Sequence, residues 1–264
     1  MNSRLGDIMI IEEIKERALN LLNEKEDDFK VVDFSFALPY SYVVVESNGK
    51  KALGVAMTLL EEYRGHGNKK DLKIGRDVED FINMVDSFDI VERTLGLAAI
   101  NAVSQYYFNF EANGRDAAEL VLNKEDIKKI AFVGNMVPVV NMLKKSGSFD
   151  IYVFERSPSL LMDGVLSDSF EYRLLPEMDA VFISGTTLLN DTLDFVLERA
   201  KNAKLKILVG PTAQSLPDLF KGFGITHIAS TKIVDVDKAL LYLKFASSSM
   251  LFKGASRKYT IEIE

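Results

Sequence analysis

From residue 130 onward the chain alternates short apolar runs with helical stretches, and no other feature constrains its fold as strongly. Residues 130–133, 151–154, 180–184, 206–209 and 225–229 read as buried strands. Between and after them, helices are expected through Val139, Val140 and Leu143, over 191–202 and over 236–245. Strands that are apolar without alternation, separated by helices, require a parallel sheet covered on both faces. Tyr259, Ile261 and Ile263 alternate with polar residues and read as one more strand at an edge. The expected fold class is therefore α/β, with a Rossmann-like parallel sheet domain over 126–264.

The first 125 residues follow another pattern. Ile11, Ile14, Ala18, Leu21 and Leu22 fall at helical spacing, which predicts a helix over about 8–24. Val32, Phe34, Phe36 and Leu38 alternate with less apolar neighbours up to Pro39, the period of a half-buried strand. Residues 42–46 and 52–58 flank Asn48-Gly49, a pair that accepts positive φ at both turn positions and so favours a tight hairpin. A short helix is expected near 78–85, and a longer one over 91–108 that is apolar nearly all round. It carries Gly96, Ala98, Ala99 and Ala102, small residues that let another backbone come close. Thr94 and Asn101 lie seven residues apart on one face of it, and a buried amide must find partners. The expectation is a small α+β domain over 1–125.

Composition removes several function classes. The net charge of −7 argues against a nucleic-acid surface, which would carry a basic stripe. No apolar run approaches the ~20 residues that cross a bilayer, and the first residues lack the basic-then-apolar order of a secretory signal. The chain has no cysteine, which excludes disulfides, thiolate nucleophiles and thiolate metal ligands, and suits a reducing cytoplasm. A homodimer is the ordinary expectation for such a protein.

In an open parallel sheet, ligands bind beyond the carboxyl ends of the strands. Three of those ends carry glycine followed by polar or helix-starting residues: Gly134-Asn135, Gly185-Thr186-Thr187 and Gly210-Pro211-Thr212. Glycine permits close backbone approach, and free N–H groups at helix starts favour an anion. Asn190 or Asp191 could cap the helix that follows the second turn. Each turn alone is what any such sheet requires; their convergence in one crevice makes them candidates. The dinucleotide fingerprint is incomplete, because 133–138 holds one glycine where G-x-G-x-x-G needs three. Glu155 stands 21 positions after Gly134, where that fold places its ribose-binding acid, although without the glycines it reads first as a solvated strand end.

His66 lies between glycines in a loop over 63–75 and is the one weak candidate for a metal ligand; His227 sits inside an apolar strand and reads as a sheet residue. Two distant histidines without cysteine make a poor transition-metal set, although oxygen ligands from Asp, Glu and Thr remain available. No nucleophile elbow, Walker loop or H-E-x-x-H is present.

Several segments together resemble a known family. The 94–102 segment TLGLAAINA is similar to the "GLAAINA" helix of the proteins called "putative heavy-metal chelation" proteins, and the 183–194 segment ISGTTLLNDTLD to their "ITGTTLxNxTxD" motif. Gly210-Pro211-Thr212 resembles their "GPS/T" turn, and Gly54-Val55-Ala56 their early "GxA" strand. The resemblance implies an N-terminal domain like the one that caps enolases, a C-terminal Rossmann-like domain, and a site in the cleft between them. By the motif match it points to Asn101, Gly185, Thr186, Thr187, Asn190, Gly210 and Pro211. The expected function is binding of a metal ion, a metal chelate or a small anionic metabolite; no cofactor other than a metal ion is suggested. The alternative is an enzyme acting on a nucleotide-like or carboxylate substrate, with Glu155 or His66 moving a proton. A third reading is an assembly module without a ligand.

Overall fold

The computed structural model describes residues 8–64 and 73–263. In chain order its first elements are α1 (Ile10–Lys25), β1 (Lys30–Ser35), β2 (Tyr40–Ser47), β3 (Lys50–Met57), α2 (Val78–Ile82) and α3 (Ile90–Tyr107). Then come α4 (Glu119–Leu122), β4 (Lys129–Val133), α5 (Val137–Ser146), β5 (Asp150–Glu155), β6 (Leu166–Ser167), α6 (Glu171–Leu174) and β7 (Ala180–Ser184). The chain continues through α7 (Leu193–Arg199), β8 (Leu205–Val209), β9 (His227–Ile233), α8 (Val236–Lys244) and β10 (Ser256–Glu262). It divides into two units. One comprises residues 1–110, 214–219 and 231–257, the other 111–213, 220–230 and 258–264.

In the first unit β1, β2 and β3 form an antiparallel sheet, with β2 and β3 joined at Asn48 (φ 50°) and Gly49 (φ 73°). Both turn residues take positive φ, the geometry whose twist matches paired strands. β1 ends at Ser35, short of the Phe36 and Leu38 expected in it; the Ala37 N–H turns instead to Ser41 Oγ at 3.2 Å. α3 is buried along most of its length and packs backbone to backbone on β3. A β-carbon on Gly54 would stand 2.1 Å from Ala102 N and 2.2 Å from Ala98 O, and one on Gly96 2.5 Å from Val85 N. The small residues of both segments thus have a packing reason: any side chain at Gly54 would push the helix off the sheet.

Buried amides lock this arrangement. Asn101 is fully buried; its Nδ2 donates to Val55 O at 2.8 Å and its Oδ1 accepts from Ser215 Oγ at 2.6 Å. Gln214, also fully buried, accepts from Val55 N (3.0 Å) and donates to Thr231 O (3.0 Å). Gln105 accepts from Ile233 N at 2.8 Å. Each amide replaces a ladder partner that the surrounding backbone lacks, so removing one strands a buried polar group.

The larger sheet has seven strands in the order β10-β9-β8-β7-β4-β5-β6. The pairs β5–β6, β4–β5, β4–β7, β7–β8 and β8–β9 are parallel. β10 runs antiparallel to β9, because Val234 N bonds Ala255 O while Ile263 N bonds Thr226 O. Taken from β6, the six parallel strands follow the order 3-2-1-4-5-6, in which the direction of strand addition reverses between β4 and β7. Phe132 and Phe182, neighbours in register on those two strands, stack at 4.7 Å in the core of the second unit. β9 extends to Ile233, four residues beyond the expected strand, and the two-residue β6 was not foreseen. Among the described residues no helix is long and apolar enough to cross a membrane.

Candidate ligand site at the strand reversal

The reversal of strand order between β4 and β7 leaves their carboxyl ends side by side with helices departing to opposite faces, the place where open α/β sheets hold ligands. Gly134 follows β4 with φ +97°, and a β-carbon on it would lie 2.9 Å from Ser184 Cβ at the end of β7. A side chain at 134 would collide with Ser184, so the two strand ends pack directly against each other. Gly134 N donates to Phe154 O at 2.8 Å, which continues the ladder one residue past β4.

On the β5 side the wall is held by Glu155. Its Oε2 accepts from Asn135 N at 3.0 Å, and its Oε1 from Arg156 N (2.8 Å) and Ser157 N (2.9 Å). Three backbone donors occupy most of what a carboxylate can accept. Glu155 therefore shapes the two loops around the crevice. The capture of Asn135 N, together with Pro138 in the first turn of α5, leaves that helix start few free N–H groups.

On the β7 side, Ser184 Oγ accepts from Thr186 N (3.3 Å) and Thr186 Oγ1 (2.8 Å), while buried Thr187 donates its hydroxyl to Ser184 O at 2.7 Å. Gly185 is forced by close approach: its β-carbon would stand 2.8 Å from Ala213 N and 3.1 Å from Thr212 Cβ. Gly210 (φ +110°) receives Ser230 Oγ on its carbonyl at 2.8 Å, and Ala213 N bonds the same oxygen at 3.0 Å. Pro211 opens the turn over 211–213, and Thr212 in it is buried.

Across the reversal the loops meet through Arg156 and Asn190. With the Asn190 amide turned so that its nitrogen donates to Thr192 Oγ1 (2.7 Å) and Thr187 O (3.3 Å), its oxygen accepts from Arg156 Nη1 at 3.2 Å. Arg156 is exposed, so a guanidinium stands at the rim. The structure thus brings Gly134, Asn135, Glu155, Gly185, Thr186, Thr187, Asn190, Gly210, Pro211 and Thr212 to the carboxyl edge of one sheet. Thr94 and Asn101 belong to the other unit, where Thr94 Oγ1 donates to Ile90 O at 2.6 Å and Asn101 makes the bonds described above. His66 lies outside the described residues.

Two groups have no sequence signal. Arg156 is one charge among many until Asn190 is placed beside it. Glu171, first residue of α6, reads as a solvated helix-start acid but is only 6% exposed, and burial, then Asp168 and Glu155, push its carboxyl up to about 7.

A bare metal ion does not fit these donors. Among the described residues no three His, Asp or Glu side chains converge as ligands, and the chain has no cysteine. Soft metals take thiolate and imidazole, whereas the crevice presents amides, hydroxyls, a guanidinium and one carboxylate, Glu155, that already accepts from three backbone N–H groups. Arg156 would repel a cation and hold an anion.

The chain matches the DUF364 family model, described as "Putative heavy-metal chelation", over residues 116–262, and the DUF4213 model of the same description over 19–104. It is 90% identical to the uncharacterized protein MJ0500 of Methanocaldococcus jannaschii, across 97% of this chain and 99% of that one. A crystal structure of a DUF364-family protein of unknown function from Pyrococcus horikoshii is similar with a TM-score of 0.89 and 44% identity, covering 97% of this chain and 100% of the other. Another, from Desulfitobacterium hafniense, shares the fold with a TM-score of 0.76 at 24% identity, over 96% of this chain and 98% of that one.

Proposed function

Taking as premise that this chain belongs to the DUF364 family, described as "Putative heavy-metal chelation", we propose that it binds a small anionic molecule at the strand reversal of its parallel sheet. A metal would arrive there already wrapped in an anionic chelator. The observation that carries this reading is the placement of the Arg156 guanidinium against Asn190, at the loops that follow β5 and β7. A planar cation next to hydroxyl and amide groups suits a carboxylate or phosphate, with Thr186 able to turn its hydroxyl toward the ligand.

The metal itself needs no ligand from the chain in this arrangement. Recognition is of the chelator's negative oxygens, which accounts for a site with no thiolate and no carboxylate cluster. Thermal shift and calorimetry with a panel of free and metal-loaded polycarboxylates, phosphate and mononucleotides test it. Saturable stabilisation by at least one anion, weakened in Arg156→Gln, is expected; stabilisation by free divalent cations and by no anion would contradict the reading.

A further inference from the structure

β1 stops at Ser35, and the residues that follow it wall a pocket in the first unit. Residues 36–39 are pinned beside the start of β2 and the end of β3. Ala37 N donates to Ser41 Oγ, Thr58 Oγ1 donates to Ala37 O, and Thr58 N donates to Pro39 O at 3.0 Å. With the Thr58 proton so used, Ser41 donates to Thr58 Oγ1 at 2.8 Å, and both hydroxyls are buried. The wall is therefore a fixed part of the fold.

The pocket holds about 610 Å³, within the roughly 300–1,000 Å³ of small-molecule sites. Its floor is Tyr42 and Leu243, both buried members of the first unit's apolar core. Phe36, Leu38, Leu60 and Tyr63 line the rest, with the Phe36 and Tyr63 rings 5.9 Å apart and tilted by 35°. Leu38, Leu60 and Tyr63 are 48, 56 and 43% exposed, much apolar surface for side chains that converge on one hollow. Every lining residue belongs to this one unit.

A single charge joins that apolar lining. Lys244, the last residue of α8, is the only charged side chain lining the pocket among the described residues. Its ammonium stands 3.9 Å from Asp33 Oδ2, the long limit of an ion pair, and the same oxygen takes the Tyr42 hydroxyl at 3.5 Å. A lysine held so loosely is available to another acid. We propose that this pocket is a second ligand site, for an organic acid with an aromatic body and one acidic head. The body covers Leu38, Leu60 and Tyr63, and the head meets the Lys244 ammonium. Its chemistry differs from that of the crevice in the second unit, where a guanidinium, hydroxyls and amides suit a polar anion, and the two sites stand or fall separately.

Anilinonaphthalene sulfonate, an aromatic acid that fluoresces in apolar surroundings, and its neutral relative N-phenylnaphthylamine are the probes. Both are titrated into the full chain while near-UV circular dichroism shows it folded. Saturable one-to-one binding of the sulfonate, displaced by naphthoate, is expected. Lys244→Gln should weaken the sulfonate about fivefold and leave the neutral probe unchanged. Leu60→Glu, a change at an exposed position, should remove both. No saturable binding, sulfonate affinity unchanged in either variant, or loss in Arg156→Gln in place of Lys244→Gln would overturn the proposal. So would a dimer in sedimentation that excludes both probes and that Leu60→Glu dissociates, because the occupant would then be a second copy of the chain.

Discussion

Gly134 and Ser184 close the strand reversal against each other: a β-carbon on Gly134 would stand 2.9 Å from Ser184 Cβ, and the glycine holds φ at +97°. Both the backbone angle and the space exclude a side chain. Gly134→Ala is therefore expected to destabilise the protein by about 2–3 kcal/mol in urea unfolding. Gly147→Ala is the matched control, because Gly147 also has positive φ (65°) but meets nothing within 4 Å. It should lose about 1 kcal/mol. Equal losses at the two positions would mean that the contact with Ser184 contributes nothing.

Asn101 links α3 to Val55 and to Ser215 from within the first unit. Asn101→Ala leaves a buried carbonyl and a buried hydroxyl without partners and opens a cavity, for a loss of about 3 kcal/mol. Ser215→Ala costs about 1 kcal/mol, and the double substitution less than the sum, because the two side chains share a bond. Additive losses would show that this hydrogen bond is not formed.

Glu171 makes stability depend on pH with a defined sign. Its carboxyl titrates at about 7 in the folded chain against an ordinary 4.5, so unfolding releases a proton between those values. The group's penalty is absent below pH 4.5, grows as pH rises through the window, and is complete above 7. Glu171→Gln removes this dependence. The stability difference between variant and native chain should move in the variant's favour by on the order of 3 kcal/mol between pH 4.5 and 7.5. A difference that stays flat with pH would place the carboxyl in its ordinary range.

Arg156 is exposed, and its substitution should leave stability within about 0.5 kcal/mol of the native value. Its predicted effect is on ligands. Arg156→Gln removes a charge-assisted contact and should weaken anion binding about tenfold or more, with Arg156→Lys recovering only part of it. Calorimetry with the tightest anion found would measure both, and an unchanged affinity in Arg156→Gln would remove the guanidinium from the site.

What could be read in the sequence was local. The period of α1, the Asn48-Gly49 turn and the unalternating strands β4, β5, β7 and β8 depend on neighbours in the chain, and each formed close to where it was expected. The strand order is a matter of long-range pairing, which residue pattern does not encode; nor does it show that β9 and β10 each contain residues of both units. The glycines and threonines at the strand ends were visible because turn chemistry is local. Arg156 and Glu171 were not, because each acquires its character from a residue distant in sequence or from burial that a polar letter conceals. The small residues of α3 could be seen to invite a close neighbour, but only the fold identifies it as Gly54.

The central claim is that the strand reversal holds an anion. Native mass spectrometry of the protein as purified from cells, set against its denatured mass, tests it most directly. The account predicts an added mass of an acidic organic molecule, with or without a metal, that is lost in Arg156→Gln while the folded charge-state distribution is kept. An added mass equal to a bare metal ion, or one retained in full by Arg156→Gln, would contradict it.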